Sequence, residues 1–431
     1  MYQERSDEMR SFSIYTLGCK VNLYESEFIA NDLVKYGYIK KEFDEVCDIY
    51  IINTCSVTNT SDVKSRKIIR NAIHKNPDAC VVAVGCFVEA NKDYTEDGLD
   101  IVIGTKDKSK IATKLDEYFG TETFVNTFSK LDDDFEDMFI DNFDLRTRAF
   151  VKVQDGCENF CSFCIIPSVR GKCRSKKLEK VILEIEALVK NGFKEVVLTG
   201  IHTGNYGVDL GIKFSDLLES ICKIDGLLRL RISSIEISEI DEEVLSIIKG
   251  NNIIVDHIHI PLQSGSDTIL KLMNRKYNTE YFLDKINTIR SIRPNMSITS
   301  DVIVGFPNET EELFMETYNF IKEVGFTKLH VFPYSERAGT VAASMDGSVL
   351  VSERKERAKR LLLLSKELEL NYYNKFIGKT VSVLIETVKN GSIGHTGEFL
   401  SVKVDDKLEV NTIVDVVIKK VDYPYLIGEV L

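Results

Sequence analysis

The sequence predicts an α/β protein in three parts: an amino-terminal parallel α/β sheet domain, a central open (β/α)6 partial barrel and a small carboxy-terminal β barrel. Three observations predict it. Short strand-like runs alternate with helix-like stretches over most of the chain, which implies parallel strands joined by crossover helices. The first three of these runs each stop at a cysteine. From about Asn374 the texture changes to short strands and turns.

In chain order, residues 12 to 18, 47 to 54 and 79 to 85 are runs rich in Ile, Val and Tyr, and a fourth run covers Leu99 to Ile103. Helix-like stretches from Glu25 to Tyr36 and Asp62 to His74 separate the first three, so the first domain is expected over residues 1 to 125. Residues 131 to 144 carry seven acidic side chains without glycine or proline, which reads as a solvated connector within a linker over 126 to 145. A basic pair, Arg146 and Arg148, opens the second domain, expected over 146 to 373. Its strands are expected at Ala149 to Gln154, Glu195 to Thr199, Leu228 to Ser233, Ile253 to Ile260, Ile298 to Val304 and Lys328 to Phe332. The matching helices are Leu178 to Asn191, Phe214 to Ile224, Asp241 to Lys249, Asp267 to Met273, Thr279 to Ile292 and Thr310 to Val324. Six such units make a β/α barrel that does not close, with its site at the carboxyl ends of the strands. A long helix from Glu353 to Tyr373 leads to residues 374 to 431, where about five short strands and a glycine-spaced loop at Gly391, Gly394 and Gly397 predict a small barrel.

Composition sets the outer limits. The 431 residues are 44% hydrophobic and 28% charged, ordinary for globular domains with real cores. The first ten residues show no signal-like apolar stretch, and no run approaches the roughly 18 apolar residues a membrane span needs, so a cytoplasmic protein is expected. In that reducing compartment ten cysteines argue for metal binding or catalysis over disulfides. A formal net charge of −12 opposes long-range attraction to a polyanion, so any nucleic-acid surface must be a local patch.

Six of the cysteines form two sets of three. Cys157, Cys161 and Cys164 make a compact C-x3-C-x2-C run, and Cys19, Cys55 and Cys86 are dispersed at strand ends. Three thiolates can hold three corners of a four-iron cluster and leave the fourth iron open for a ligand. A tetrahedral zinc site would need a fourth ligand, and no histidine lies between Lys75 and Gly200. The dispersed set has a plainer reading as buried reduced thiols, since free cysteine is among the most buried residue types. Cys47, Cys80 and Cys222 read as buried structural thiols, and Cys173, in a basic loop, as exposed. His257 and His259 alternate on one strand without carboxylate companions and read as packing residues.

The compact run, DGCENFCSFCIIPSVRG with Phe163 before the last cysteine, resembles the signature of the radical S-adenosylmethionine (SAM) superfamily. SDVIVGFPNET at 300 to 310 is similar to that superfamily's adenine-contacting strand end, where Gly305 would let backbone approach the ligand and Pro307 would fix the turn. LTGIHTG, with Gly200, occupies the place of the methionyl-amine contact but lacks the usual acidic residue. RISSIE places Ser233, Ser234 and Glu236 at another strand end, as SAM contacts or as a helix cap.

Strand-end cysteines, a radical SAM core and a small barrel, in that order, resemble the methylthiotransferase family over essentially the whole chain. The resemblance implies that Cys19, Cys55 and Cys86 hold an auxiliary [4Fe-4S] cluster, that Cys157, Cys161 and Cys164 hold the radical SAM [4Fe-4S] cluster, and that the barrel is an RNA-binding TRAM domain. TLGCKVNLYESE, INTCSVTNTSDVKSR and HVFPYSERAGT are similar to the branch acting on N6-threonylcarbamoyladenosine beside the tRNA anticodon. A sister branch modifies a ribosomal-protein aspartate, and a cluster-bearing RNA-binding protein without catalysis is the other alternative. The implied chemistry uses two SAM molecules: one methylates a sulfur on the auxiliary cluster, and the other yields a 5′-deoxyadenosyl radical that activates carbon 2 of the adenine. A low-potential electron donor such as flavodoxin or ferredoxin is implied too. Substrate contact is expected from Arg170, Lys172, Arg174 and Lys176 in the basic loop 170 to 177, and less from Lys64, Arg66, Lys67 and Arg70 on a helix.

Overall fold

A computed structural model describes residues 9–131, 134–144 and 147–431, so Arg146, Asp132 and Asp133 lie outside the described residues. The chain forms two compact units: the first runs to Ile140 and takes in Asp155–Asn159 and Cys164–Arg174, and the second holds Asp141–Gln154, Phe160–Phe163 and Ser175–Leu431.

The first unit is built on six parallel strands, β1 (Ser11–Thr16), β2 (Ile39–Lys40), β3 (Ile49–Thr54), β4 (Cys80–Gly85), β5 (Ile101–Ile103) and β6 (Val125–Thr127), in the order β2-β1-β3-β4-β5-β6. The residues of β3 and β4 are buried throughout, as an apolar run without alternation requires when both faces are covered. Helices α1 (Lys20–Lys35) and α4 (Ile111–Thr121) contribute Ile29, Leu33 and Leu115 to one core, and α2 (Asn59–Lys75) contributes Ile69 and Ala72 to the other, with Phe87 from α3 (Cys86–Ala90). The two outermost strands, β2 and β6, escape the sequence reading because two or three residues make no apolar run.

The acidic stretch departs from expectation in its described part. Instead of a solvated connector, residues 134–140 bury Met138 and Ile140, and the Tyr24 hydroxyl donates to the Met138 carbonyl at 2.8 Å. Apolar anchors spaced among the carboxylates let the segment pack while Asp134 and Asp137 stay exposed and Glu136 accepts from the Ser109 N–H at 2.8 Å.

In the second unit six parallel strands run in chain order: Arg148–Lys152, Glu195–Thr199, Arg229–Ile232, His257–His259, Ser297–Val304 and Lys328–Pro333. They form two three-stranded ladders joined by a bridge between Leu230 and Ile254. Helices Leu178–Lys190, Phe214–Ile221, Glu242–Gly250, Asp267–Leu272, Thr279–Ile292 and Glu311–Val324 follow in the expected alternation. Among the described residues no ladder joins the first strand to the last, so this is an open (β/α)6 barrel. The helix Val351–Asn374 packs along the last strand, where the Ser365 hydroxyl accepts from the Leu329 N–H at 2.9 Å.

Strands Thr380–Lys389, Gly391–Thr396, Ser401–Val404, Ile413–Asp422 and Tyr425–Val430 close the small barrel. The segment with Gly391 and Gly394, expected as a loop, is a strand. A Cβ at Gly394 would stand 2.1 Å from the Leu384 carbonyl oxygen, so the close pairing of a small barrel excludes any side chain there. Its docking onto the partial barrel is polar. Arg229 donates to the carbonyls of Ser382 (2.8 Å) and His395 (3.1 Å), Arg231 donates to that of Gly397 (3.0 Å), and Arg148 pairs with Glu386 at 2.8 Å. Phe399, held at φ +67°, lies 4.8 Å from the Arg231 guanidinium, 4.9 Å from that of Arg148, and stacks on His395. No described helix is long and apolar enough to cross a membrane.

The Phe399→Ala variant is expected to lose about 1–2 kcal/mol, the sum of two cation–π contacts and partial apolar burial. Its thermal midpoint should fall, and limited proteolysis should release the segment after Asn374 faster than in the parent. An unchanged cleavage rate would show that the ring does not hold the barrel in place.

Candidate functional site

In the first unit the three dispersed cysteines end adjacent strands. Cys19 follows β1 and caps α1, Cys55 follows β3, and Cys86 follows β4 and opens α3. Because β1, β3 and β4 are neighbours, all three project from one edge of the sheet, the carboxyl edge where open α/β sheets bind ligands. Gly18 sits at φ +98°, and a Cβ there would reach within 2.8 Å of the Cys55 sulfur, so only glycine lets the two strand ends close up. Burial pushes the Cys55 thiol up to about 11, and the charges of Cys86 and Cys19 push it the same way. Three mutually repelling thiolates at one sheet edge need positive charge, and metal binding must displace their protons.

The charge comes from Arg170, a fully buried residue. Its guanidinium donates to Glu25 at 3.0 Å, to Asp155 at 3.0 Å and to the Asn22 Oδ1 at 2.8 Å. Lys108, also buried, contacts Glu25 from the other side, so two cations balance two carboxylates. Asn22 donates to the carbonyls of Leu17 (2.7 Å) and Thr54 (3.0 Å), tying together the strand ends that carry Cys19 and Cys55. The residues following Cys19 therefore have a structural role independent of any substrate. A donor set of three thiols beside a buried guanidinium fits an iron–sulfur cluster with one iron left open.

The compact cysteines lie on the connection between Asp155 and helix Ile166–Arg170, Cys157 and Cys164 in the first unit and Cys161 in the second. In the first unit the Cys157 N–H donates to the Gly171 carbonyl at 3.0 Å. In the second, Arg275 donates to the Cys161 sulfur at 3.3 Å and pairs with Glu236, and the Ser162 hydroxyl donates to the Leu272 carbonyl at 2.8 Å. Arg275 was invisible in the sequence, where it is one half of an ordinary basic pair after a helix. Glu236 is thus both the residue before a short 3-10 turn (Ile237–Glu239) and the anchor of an arginine that touches a cysteine.

The other expected SAM contacts are placed as follows. Phe163 meets Phe306 edge-on at 6.5 Å, Ser233 is buried and Ser234 half-buried at the end of strand Arg229–Ile232. Gly200 packs against the Gln154 side chain, 3.1 Å from where a Cβ would be, and Gln154 accepts from the His202 N–H. Gly305 has φ +70°, and the space a Cβ would need is filled by the Arg354 stem at 2.3 Å, so the long helix alone already requires glycine there. Pro307 follows in the turn before Thr310 caps helix Glu311–Val324.

The basic loop corrects the sequence reading most. Arg170 and Arg174 are buried in the first unit and Lys176 in the second, where it pairs with Glu184 at 2.5 Å, so none of the three presents charge to a phosphate. Internal carboxylates have claimed them, Glu25 from 145 residues away and Asp155 and Glu184 from nearer in the chain. Of the four, Lys172 alone is exposed. On helix α2 Arg70 pairs with Glu96 and Arg66 lies over Phe87, leaving Lys64 and Lys67 exposed. Cys173 is buried, its N–H donating to Glu158, where exposure was expected; Cys222 is half-buried; Cys47 and Cys80 are buried as expected. His259 does have a carboxylate companion: its Nε2 lies 3.3 Å from Asp301, on the next strand and 42 positions later, which no local pattern reveals.

Comparison with known proteins agrees with this geometry. Residues 151–321 match the radical SAM superfamily, and residues 11–104 match the uncharacterized protein family UPF0004. The chain is 43% identical to the threonylcarbamoyladenosine tRNA methylthiotransferase MtaB of Bacillus subtilis, over 98% of this chain and 96% of that one. It is 35% identical to the tRNA-2-methylthio-N(6)-dimethylallyladenosine synthase of Clostridium botulinum, over 97% and 96%. Among solved structures, the radical SAM methyltransferase TsrM of Kitasatospora setae superposes with a TM-score of 0.57 at 14% identity, over 78% of this chain and 75% of that one, a likeness of fold.

Replacing Arg170 by Met takes from Glu25 and Asp155 the guanidinium that they share, leaving buried carboxylates under-compensated. The expected cost is about 3–5 kcal/mol, read as a lower urea midpoint of the metal-free protein. A midpoint within error of the parent would mean that Lys108 and Asn22 suffice.

Proposed function

The chain belongs to the radical SAM tRNA methylthiotransferases, and from that premise we propose that it adds a methylthio group to carbon 2 of N6-threonylcarbamoyladenosine beside the tRNA anticodon. The observation that carries this reading is the gathering of Cys19, Cys55 and Cys86 at one sheet edge in a chain that also has the radical SAM run. Neither rival has comparable support. The named relatives act on tRNA, which disfavours the ribosomal aspartate, and a non-catalytic RNA-binding protein would have no use for a second thiol trio.

Radical SAM membership brings SAM and a [4Fe-4S] cluster, which Cys157, Cys161 and Cys164 would hold; Cys19, Cys55 and Cys86 would hold the second cluster. When bound, these groups supply one-electron cleavage of SAM and a methylated sulfur, the steps that an unactivated aromatic C–H demands and side chains cannot provide. The protein's own residues do the rest. Arg275 hydrogen-bonds the Cys161 sulfur and fixes the loop, and its positive charge would favour the more negative, reduced state of a cluster held there. Arg170 offsets the thiolates of the dispersed set, and Asn22 fixes the spacing of two of them. Phe163, Gly200, Ser233, Ser234, Glu236, Gly305 and Pro307 would border SAM, with Gly305 acting through its backbone. The RNA is met by Lys172, Lys64 and Lys67 in place of the buried arginines. A cytoplasmic setting with a flavodoxin or ferredoxin as donor suits this chemistry.

Anaerobically reconstituted protein should contain about eight irons per chain, falling to about four when Cys19, Cys55 and Cys86 are all replaced by Ala. That variant should still form 5′-deoxyadenosine from SAM and reductant while its tRNA product disappears from nucleoside mass spectra. Unchanged iron in the variant would remove the second cluster from the reading, and unmodified tRNA from the parent enzyme would remove the reaction.

A further inference from the structure

The inner face of the partial barrel carries a polar cluster that the assigned chemistry does not use. On strand Ser297–Val304 the residues Ile298, Ser300, Val302 and Val304 are buried under the helices, and Asp301 and Ile303, on the opposite face, are half-open. Asp301 stands in register with His330 on the next strand, and Thr299 with His259 on the previous one. The ligand atoms of His259, Asp301 and His330 all lie within 4.8 Å of one another, and the two imidazoles are 5.7 Å apart. His259 is already oriented: its Nδ1 meets the Thr299 hydroxyl at 2.9 Å, which turns Nε2 to the Asp301 carboxylate at 3.3 Å. Three polar side chains from three strands, fixed by a fourth, form a built recognition surface and not a solvated charge run.

Position along the strands tells what it faces. Below, toward the amino ends, His257 hydrogen-bonds Thr299 at 3.3 Å and its ring lies 5.3 Å from Phe399 of the small barrel, so that end is plugged. Above, the next inner-face pair is Ile303 and Phe332, the latter 44% exposed. The inner face therefore grades from a closed floor, through polar groups, to an exposed aromatic. A purine stacked on Phe332, where exposed aromatics receive bases, lies one inner-face step from Asp301, about 7 Å along the strand. An N6 substituent pointing down the barrel spans that step.

We infer that His259, Asp301 and His330 form the subsite that reads the polar N6 substituent of the target adenosine, His330 donating to its carboxylate and Asp301, held in place by His259, accepting from its urea N–H. The inference rests on the proposed function, and gives it a physical basis for choosing a ureido-carboxylate over an apolar alkyl group. An apolar substituent would take water from these groups and return no hydrogen bond, which penalises it more than a missing methylene would.

The test uses the reconstituted two-cluster protein without reductant and fluorescent anticodon stem-loop RNAs bearing either N6-threonylcarbamoyladenosine or plain adenosine. The parent is expected to bind the modified RNA at least about thirtyfold more tightly, and His330→Ala and Asp301→Asn to cut that preference about tenfold each, with His330→Gln recovering part of it. The ratio between the two RNAs is the readout, because a structural defect would weaken both alike, and exposed His330 can be replaced even if Asp301→Asn misfolds. Variants that keep the full preference overturn the inference, as does one extra bound zinc or manganese per reconstituted chain that His330→Ala abolishes, since the trio would then be a metal site. If the parent itself leaves threonylcarbamoylated tRNA without a methylthio group, it is the proposed function that fails.

Discussion

The buried guanidinium of Arg170 is the interaction on which the first unit depends. A fully desolvated arginine is tolerated only when carboxylates and oriented dipoles replace its water, and here Glu25, Asp155 and Asn22 do so. These partners come from α1 and from the segment before the cysteine run, so the ion pairs tie distant pieces of sequence together. The same charge lies near enough to Cys19 and Cys86 to act on both. An arginine that stabilises fold and thiolates at once cannot also serve a phosphate, which explains why a residue in the most basic stretch of the chain is wholly internal.

That internal use of cations recurs in the second unit. Arg229 and Arg231 share Glu195 and spend their remaining N–H groups on carbonyls of the small barrel, and Arg148 pairs with its Glu386. A ring at φ +67° completes the joint by presenting its faces to two guanidinium groups. The barrel's surface near Gly397 and Phe399 is consequently committed to its own chain. With a net charge of −12 and so many arginines internal, attraction to a polyanion would fall to exposed lysines, and contact through only a few of these would give a shallow salt dependence.

Much of the fold was legible because it rests on local pattern. Unbroken apolar runs such as Ile49–Thr54 announce strands covered on both faces, and amphipathic stretches such as Thr279–Ile292 announce helices to the residue. The readings that failed depend on contacts between distant positions. Nothing near Gly391 tells that its neighbours form a strand, since the reason is a carbonyl of Val404 where a side chain would go. Nothing near His259 reveals Asp301 or His330, and nothing near Cys161 reveals Arg275. The strand-end positions of Cys19, Cys55 and Cys86 were legible from the sequence; the cations beside the cysteines were not, because a sequence shows that an arginine is present and not which carboxylate has taken it.

The two thiol sets differ in how they are held, and the difference would suit the tasks proposed for them. The dispersed cysteines are fixed by sheet register, a rigid element whose strand ends move only if the ladder does. The compact set sits on a connection whose shape is imposed by hydrogen bonds from outside it, Gly171 for Cys157 and Arg275 for Cys161. A group held by register keeps its place whatever binds, which a sulfur donor needs if it is to meet one carbon of one base. A group held on a loop can accommodate a ligand that arrives and leaves with each turnover, as SAM must. Rigidity at one thiol set and adaptability at the other would follow from where the chain puts its cysteines, at the ends of adjacent strands of one sheet in one case and on a single connection in the other.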